Sequence, residues 1–317
     1  MRIIRFLKNW TLPVAMLCGV LAYLVCCELP LTVQAKHTIL WATELLQPIL
    51  LFLMLFVSFC KIRPSDLRPH RWHLWLLLTQ CALFTLCSLL LWAFPTTDAR
   101  LVVEGFMLAV ICPTATACAV VTQKLGGDSA ATTSYTIIIN MAVALFCPLL
   151  LPLAHPQAGM TFLPASLVII NKVFPLLIVP LFLAWFVRYL MPGFHKKILQ
   201  QKDLAFYMWA VALAIAIAVT CRALSHSDES LWHVGGIAVA TLIACLFQFA
   251  YGRVVGRRYG MSLEAGQAMG QKNTVFIIWL GYTFLSPITA TAGGFYSIWH
   301  NVVNSYQLYK KRRDTSA

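Results

Sequence analysis

Apolar segments long enough to cross a lipid bilayer follow one another along almost the entire chain. A membrane-spanning helix needs about 20 predominantly apolar residues, and short polar stretches separate the segments that meet this length. The pattern predicts ten such helices and no soluble domain. The predicted spans are residues 10–27, 38–60, 73–94, 101–123, 130–154, 165–190, 203–222, 231–252, 261–284 and 286–308. No small-residue cleavage site follows the first span, so we interpret it as a helix rather than a signal peptide.

The fourth and ninth spans differ from the others because polar and helix-breaking residues interrupt them. In the fourth span, Pro113 removes a backbone donor in the middle of the segment, and the small and polar residues 114–118 follow it. In the ninth span, Gly270 precedes the polar residues 271–273. We therefore predict that the helices break at Pro113 and Gly270.

The composition favours an all-α, polytopic membrane protein. Of the 317 residues, 60% are hydrophobic and 11% are charged, and the mean hydropathy is +0.77. A soluble domain, by contrast, carries roughly 25% charged residues. The 11 cysteines lie in or beside apolar segments, without a CxxC pair or a Cys/His cluster. This pattern favours buried thiols over a disulfide framework or a zinc site.

The net charge of +13 is explained by membrane topology rather than by binding to nucleic acid. Lys and Arg gather in the cytoplasmic loops of membrane proteins. Here the loops alternate between many and few basic residues, and the sparse side holds Lys36, Arg100 and Arg222. We therefore expect both termini in the cytoplasm, with a basic tail at residues 309–317. The residues assigned to the cytoplasmic side are Arg2, Arg5, Lys8, Lys61, Arg63, Arg68, Arg71, Lys124, Arg188, Lys196, Lys197, Lys202, Arg253, Arg257, Arg258, Lys310, Lys311, Arg312 and Arg313.

The two interrupted spans occupy corresponding places, each the fourth of five. Because five is odd, residues 155–308 (spans 6–10) should run inverted relative to residues 1–154 (spans 1–5). Inverted repeats with discontinuous helices at the membrane midplane are typical of secondary transporters, and their site lies between the breaks. Half-helix N-termini there present free N–H groups and a positive dipole end, which suits an anionic substrate.

Four motifs resemble the bile acid:sodium symporter family, including its bacterial ten-helix members, and the resemblance covers nearly the whole chain. The motifs are CPTATA at residues 112–117, similar to the family's CPGGTA, LGGD at 125–128, MGQKN at 269–273, similar to xGMQN, and WHN at 299–301. The resemblance implies a core domain (spans 3–5 and 8–10, with 4 and 9 crossing) and a panel domain (spans 1, 2, 6 and 7). It also implies inward transport of organic anions coupled to two sodium ions, and by analogy a plasma membrane location, in the bacterial inner membrane.

The positions that correspond to the family's sodium ligands are mostly changed. They are Cys118, Ala119, Thr132, Thr136 and Ala268 for the first site, and Ala268, Gln80 and Lys272 for the second. Cys118 and Ala119 stand in place of a Ser and an Asn, and Ala268 in place of a Glu. Sodium needs several oxygen ligands, so the resemblance implies degenerate sodium sites. We expect no bound metal and no other cofactor, with altered or absent sodium coupling.

Lys272 replaces a Gln of the family's second site, where an ammonium group would repel a cation. One Glu with two sodium ions has the same net charge as one Lys alone, so we hypothesise that Lys272 is a tethered cation that keeps the site attractive to an anion. Alternatively, its side chain extends to the membrane interface. If Lys272 loses its proton in one conformation, it couples transport to H⁺, and if it stays charged, the protein is a uniporter or exchanger. Glu264, one helical turn before Ala268, is an alternative sodium ligand in a rearranged site.

The resemblance also implies where the substrate binds. The expected contacts are Thr116, Ala117, Asn273, His300 and Asn301. Asn and His offer neutral donors and acceptors for a carboxylate or a hydroxyl group. The expected partners are a small or steroidal organic anion and the lipid bilayer.

Two other functions compete with transport. An intramembrane lipid-transferring enzyme generally needs paired carboxylates or an activated nucleophile, and the sequence has no DxxD or HExxH motif, so we expect no enzyme. A membrane-embedded sensor that binds an anion without moving it is the other alternative. Of the remaining charged residues, Glu104 is expected to be solvated near the outer end of span 4. Asp128 is expected to cap the helix that begins before Ala130.

Overall fold

The computed structural model describes residues 11–29, 32–156, 159–201 and 203–316. Within these residues the chain forms thirteen α-helices and no β-strand. The helices are α1 (Thr11–Glu28), α2 (Val33–Cys60), α3 (Arg71–Ala93), α4 (Arg100–Ile111), α5 (Cys118–Leu125), α6 (Ser129–Ala154), α7 (Phe162–Leu190), α8 (Pro192–Gln200), α9 (Leu204–Ser225), α10 (Leu231–Arg257), α11 (Ser262–Gly270), α12 (Thr274–Phe284) and α13 (Pro287–Ser316). Four basic residues of the topology prediction, Arg2, Arg5, Lys8 and Lys202, lie outside the described residues, as does residue 10 of the first predicted span.

Six of the described helices are long and apolar enough to cross a membrane, namely α2, α3, α6, α7, α9 and α10. They contain between 22 and 29 residues, and about 20 residues suffice for a hydrocarbon layer of about 30 Å. The apolar part of α1 and the whole of α12 are shorter apolar helices. The chain is thus an all-helical, multi-pass membrane protein.

Two predicted spans are each divided between a pair of short helices. The fourth span consists of α4 and α5, which residues 112–117 separate, and the ninth consists of α11 and α12, which residues 271–273 separate. Pro113 lacks the N–H group that would continue α4. The side-chain oxygen of Asn273 accepts a hydrogen bond from the backbone N–H of Phe276 at 3.4 Å, and this bond caps the start of α12. The interruptions leave the backbone groups of four helix ends free for other partners.

A hydrogen bond connects the turn between α5 and α6 to the beginning of α11. Gly126 has a φ of +92°, which glycine adopts without strain. Asp128 then caps α6, because its Oδ1 accepts hydrogen bonds from the backbone N–H groups of Ala130 at 2.8 Å and Ala131 at 3.4 Å. This cap confirms the prediction for Asp128. The backbone N–H of Asp128 in turn donates to Oε1 of Glu264 at 2.8 Å.

Glu104 is fully buried, so the prediction that it is solvated is wrong. Its Oε1 accepts a hydrogen bond from Nε of Arg100 at 3.0 Å and lies 2.9 Å from Nδ1 of His155, and its Oε2 accepts one from the hydroxyl of Thr289 at 2.9 Å. Arg100 also donates to the carbonyl oxygen of Ala154 at 2.7 Å. A buried carboxylate is tolerated when its charge is paired and its oxygens are hydrogen-bonded. The network joins the beginning of α4 to the end of α6 and the beginning of α13.

Two glycines allow α10 and α11 to pack closely. A methyl group added at Gly252 would collide with the backbone of Ala265, and one added at Gly256 would collide with the carbonyl oxygen of Met261. Small residues four positions apart permit such close approach of helices in membranes. The packing matters for the site because α11 carries one half of the interrupted ninth span.

We expect Gly252→Leu to destabilise the protein by about 1–3 kcal/mol, the usual cost of overpacking, because the backbone of α11 cannot move away without disturbing the helix break. Thermal unfolding of the detergent-solubilised protein measures the effect. Gly235→Leu is the matched control on the same helix, because no atom lies within 4 Å of a methyl group added there. Equal unfolding temperatures for the two variants would contradict this account of the packing.

Candidate functional site at the helix crossing

The interrupted segments of the two broken helices cross and pair with each other. The backbone N–H of Ala115 donates to the carbonyl oxygen of Gln271 at 2.8 Å, and the N–H of Asn273 donates to the carbonyl oxygen of Pro113 at 2.9 Å. This antiparallel pairing satisfies backbone groups that the helix breaks leave free. It also gathers the ends of α4, α5, α11 and α12 around one point.

Thr114 and Lys272 face each other in this pairing and make equivalent contacts. The hydroxyl of Thr114 donates to the carbonyl oxygen of Ala268 at 2.6 Å, and Nζ of Lys272 donates to the carbonyl oxygen of Val110 at 3.3 Å. Ala268 lies in the last turn of α11, four residues before Lys272. Val110 lies in the last turn of α4, four residues before Thr114. The crossing therefore has approximate two-fold symmetry around Thr114 and Lys272.

Lys272 is almost completely buried, with 1% of its surface exposed. Among the described residues, none of the ion pairs within 4.0 Å involves Lys272. The ammonium group also lies at the C-terminal end of α4, where the partial negative charge of the last carbonyl groups stabilises a cation. Because an ammonium group has three donors and Val110 accepts one hydrogen bond, two N–H donors are left without an acceptor among the described residues.

A glutamine–tyrosine pair supports the end of α4. Gln80 on α3 donates from Nε2 to the same carbonyl oxygen of Val110, at 2.7 Å. Its Oε1 accepts a hydrogen bond from the hydroxyl of Tyr135 on α6. Both oxygen and nitrogen of the Gln80 amide are thus engaged within the protein.

A second glutamine–tyrosine pair supports the end of α11. Gln248 on α10 donates to the hydroxyl of Tyr296 on α13 at 3.1 Å, and that hydroxyl donates to the carbonyl oxygen of Gly270 at 2.8 Å. The sequence interpretation missed Gln248, Tyr135 and Tyr296. A signal for them was present, because the two glutamines lie on spans 3 and 8 and the two tyrosines on spans 5 and 10, which are corresponding places in the two halves.

Comparison with protein families identifies the chain. A family model described as "Sodium Bile acid symporter family" matches residues 48–227, which is more than half of the chain and includes the break at Pro113. The chain belongs to this symporter family. A search of curated proteins found no match. Membership confirms the resemblance seen in the sequence, and it identifies a membrane transporter of the organic-anion type and not an enzyme.

The family match ends before α11 and α12, so Lys272 and the second half of the crossing lie outside the matched residues. Hydrogen bonds between residues 113–115 and 271–273 connect the half of the crossing within the family match to the half outside it.

Of the positions predicted to correspond to sodium ligands, only Gln80, Thr132 and Thr136 carry a side-chain oxygen. The hydroxyl of Thr132 donates to the carbonyl oxygen of Ser129 at 2.9 Å, and that of Thr136 donates to the carbonyl oxygen of Thr132 at 3.0 Å. Each hydroxyl therefore donates its hydrogen within α6, while its oxygen keeps lone pairs that can still accept. The thiol of Cys118, which is fully buried, lies 3.9 Å from the hydroxyl of Thr122 on its own helix.

Ala119 and Ala268 add no side-chain oxygen. Ala119 is partly exposed on α5, and Ala268 is fully buried on α11, where its carbonyl oxygen already accepts the hydrogen bond from Thr114. Elsewhere in the part of the chain that the structure describes, no group of three or more His, Cys, Asp or Glu side chains is arranged to hold a metal ion.

Three of the predicted substrate contacts lie in the crossing itself. Thr116 and Ala117 are the last residues before α5, and both are partly exposed. Asn273 is buried and lies between Lys272 and the first residue of α12. These residues border the N-terminal ends of α5 and α12, where free N–H groups favour negative charge.

The other two predicted contacts lie on α13. His300 is buried, and its ring packs edge-on against the ring of Tyr296 with 5.7 Å between the centroids. Because Tyr296 reaches the carbonyl of Gly270, His300 lies beside the crossing. Asn301 is partly exposed, and its amide donates to the carbonyl oxygen of Ser297 on its own helix at 2.6 Å.

Proposed function

We propose that this symporter family member is a secondary transporter of a small or steroidal organic anion that does not require sodium, because the ammonium group of Lys272 takes the place of a sodium ion. The observation that carries the proposal is the position of Nζ, buried at the crossing and 3.3 Å from the carbonyl oxygen of Val110. The residues proposed to contact the anion are Thr116, Ala117, Asn273, His300 and Asn301.

The side chains around the crossing disfavour sodium. Sodium, as a hard cation, prefers several oxygen ligands, whereas Cys118, Ala119 and Ala268 carry none in their side chains. Two unit charges 4 Å apart interact with about 4 kcal/mol at an effective dielectric constant of 20. Lys272 would therefore oppose a sodium ion bound next to it by an energy of this order.

The same charges favour an anion. The ammonium group of Lys272 and the N-terminal ends of α5 and α12 all present positive charge or hydrogen-bond donors around the crossing. A carboxylate or sulfonate held there needs no additional cation. If Lys272 stays charged, the protein is a uniporter or exchanger, and if it releases a proton in one conformation, transport is coupled to H⁺.

We also propose that residues 1–154 and 155–308 are two inverted repeats. Glu104 in the first repeat binds Thr289 near the beginning of α13, and Glu264 in the second binds the backbone of Asp128 at the beginning of α6. In each repeat, the first half-helix of the interrupted span (α4 or α11) thus forms a hydrogen bond with the beginning of the fifth span of the other repeat (α13 or α6). Each glutamine–tyrosine pair instead joins the third and fifth spans of one repeat, Gln80 with Tyr135 and Gln248 with Tyr296, and this correspondence supports a two-fold axis through the crossing.

This architecture has ten spans, with a core domain of spans 3–5 and 8–10 and a panel domain of spans 1, 2, 6 and 7. The distribution of Lys and Arg between the loops supports cytoplasmic termini, with residues 309–317 as a basic cytoplasmic tail. We propose the plasma membrane as the location, which is the inner membrane in a bacterium.

The position of Glu264 argues against a rearranged sodium site. Its Oε1 accepts the hydrogen bond from Asp128 at the beginning of α6, and it lies in the first turn of α11, whereas the crossing follows the last turn. A sensor that binds without transport is tested by the same experiment as the transporter.

The proposal predicts uptake of an organic anion into proteoliposomes to the same extent in sodium chloride and in choline chloride. A mixed pool of carboxylates, sulfonates and bile salts is offered outside, and the internal anions are identified by mass spectrometry. Liposomes that contain the Lys272→Met variant are the control for leakage. Uptake in sodium alone contradicts the sodium-independent mechanism, and binding without uptake in either salt indicates a sensor.

A further inference from the structure

A groove opens on the outer surface of the protein where the beginning of α3 meets the end of α10. Both helices are long and apolar enough to cross a membrane. The groove holds a cavity of about 210 Å³. The exposed fractions of Trp75 and Val254 are 51% and 52%, so the groove is open to its surroundings. The residues that line the cavity are Trp75, Tyr251, Val254, Val255, Arg258 and Tyr259.

Two tyrosine hydroxyl groups in the groove each keep an unused donor. The hydroxyl of Tyr259 accepts a hydrogen bond from the indole N–H of Trp75 at 2.9 Å, and the hydroxyl of Tyr251 accepts one from the hydroxyl of Thr79 at 2.7 Å. These two bonds connect α3 to α10. A phenolic hydroxyl can donate one hydrogen bond while it accepts another, and neither tyrosine hydroxyl donates to an acceptor within the described ranges. The groove therefore offers two O–H donors to a group from outside the chain.

The groove also carries positive charge that no acidic side chain balances nearby. Arg258 lines the cavity and is exposed, and Arg257 precedes it at the end of α10. In the portion of the chain that the structure describes, neither arginine takes part in an ion pair within 4.0 Å. A guanidinium group binds phosphate through two parallel hydrogen bonds. Arg258 and the tyrosine hydroxyls together match the chemistry of a phosphate group.

The surroundings of the groove favour a phospholipid over a soluble phosphate. Arg258 belongs to a basic loop, and basic loops indicate the cytoplasmic side, where the leaflet contains anionic lipids. Trp and Tyr side chains are enriched at the level of the lipid headgroups. Val254 lies one helical turn before Arg258, deeper in the membrane, and offers an exposed apolar surface for an acyl chain. The cavity has room for a phosphate group but not for a whole lipid, so the acyl chains would lie along this outer surface.

We propose that the groove between α3 and α10 binds an anionic phospholipid, whose phosphate group contacts Arg258 and the hydroxyls of Tyr251 and Tyr259. The bound lipid bridges the two helices that carry Gln80 and Gln248, and each of these glutamines supports a half-helix at the crossing. Because a ligand that binds the folded state stabilises it, the lipid stabilises the helices that position the crossing. The groove contains no residue of the crossing, so this site is independent of the transported anion.

Lipid retention by the full-length protein in detergent tests the site. Phosphatidylglycerol and phosphatidylcholine with the same acyl chains are added in turn, and native mass spectrometry measures the bound fraction of each. We expect the wild type to bind phosphatidylglycerol preferentially and to unfold at a higher temperature in its presence. Arg258→Gln should weaken the binding of phosphatidylglycerol about fivefold or more, which is the contribution of one basic residue near a membrane surface.

Arg63→Gln is the matched control for the loss of charge. Arg63 is an exposed arginine in the loop between α2 and α3, on the same basic side of the chain, and it does not line the cavity. This variant should keep the preference of the wild type. The double variant Tyr251→Phe/Tyr259→Phe retains both rings and removes the two donors, so it should also weaken binding. It provides the same test if Arg258→Gln does not fold.

Equal binding of the two lipids by the wild type, or an unchanged preference in Arg258→Gln, overturns the lipid site. An equal loss of preference in Arg63→Gln overturns it as well, because the effect would then come from surface charge in general. Glycerol 3-phosphate is the soluble probe, and the lipid assignment is wrong if this probe raises the unfolding temperature as much as phosphatidylglycerol at the same concentration. No transported anion is present in these measurements, so their outcomes do not bear on the proposed function.

Discussion

Lys272→Met should abolish binding and uptake of the transported anion, both with and without sodium. Methionine has a similar length but no charge, and the loss of one partner of a buried charge pair costs about 2–5 kcal/mol, or about 30-fold to several thousand-fold in affinity. The fold should survive, because Gln80 still donates to the carbonyl oxygen of Val110. Isothermal titration with the anion found in the uptake pool, together with thermal unfolding of the variant, measures both expectations.

Lys172→Met is the control for this experiment, because Lys172 is an exposed lysine on α7 that packs over the ring of Phe284 away from the crossing. It should bind the anion with nearly the wild-type affinity. The variant Ala268→Glu/Lys272→Gln should not acquire sodium dependence, since Cys118 and Ala119 still lack oxygen ligands. An anion affinity of Lys272→Met equal to that of the wild type would show that the ammonium group does not bind the substrate.

Arg100→Met should destabilise the protein by about 3–5 kcal/mol, the cost of leaving a buried carboxylate without its cation. Glu104 is fully buried, and Arg100 is the permanently charged group that contacts it, since the charge of His155 depends on its protonation. The double variant Arg100→Met/Glu104→Met should be less destabilised than Arg100→Met alone, because it removes the buried charge as well. Chemical or thermal unfolding of the purified protein in detergent measures all three free energies.

Arg63→Met, at an exposed arginine in the loop between α2 and α3, is the control and should change stability by less than about 0.5 kcal/mol. If the double variant proves as unstable as Arg100→Met or more so, the unpaired charge of Glu104 is not the cause of the destabilisation. The network would then be a set of independent contacts.

The helical fold was accessible to sequence reasoning because its main signal is local. The long apolar runs that form α2, α3, α6, α7, α9 and α10 need nothing beyond segment length and hydropathy. The cap at Asp128 was also predictable, since an N-cap is defined by its own residue and the next three. The short helix α8 was not anticipated, because Pro192–Gln200 lies in a loop between two predicted spans and carries basic residues.

The candidate site depended on contacts between distant parts of the chain. The sequence could mark Pro113 and Lys272 as unusual for their spans, but it could not show that Nζ reaches Val110, since the two residues lie on different broken helices. Glu104 was misplaced for the same reason. Its position near the end of a span suggested solvent, whereas His155, directly after α6, and Thr289 of α13 enclose it.

Radioactive sodium and the transported anion, followed in the same proteoliposomes, show whether Lys272 replaces sodium. We expect the anion to enter while sodium uptake stays at the level of protein-free liposomes, at any external sodium concentration. Sodium that enters in a fixed ratio to the anion would contradict this expectation.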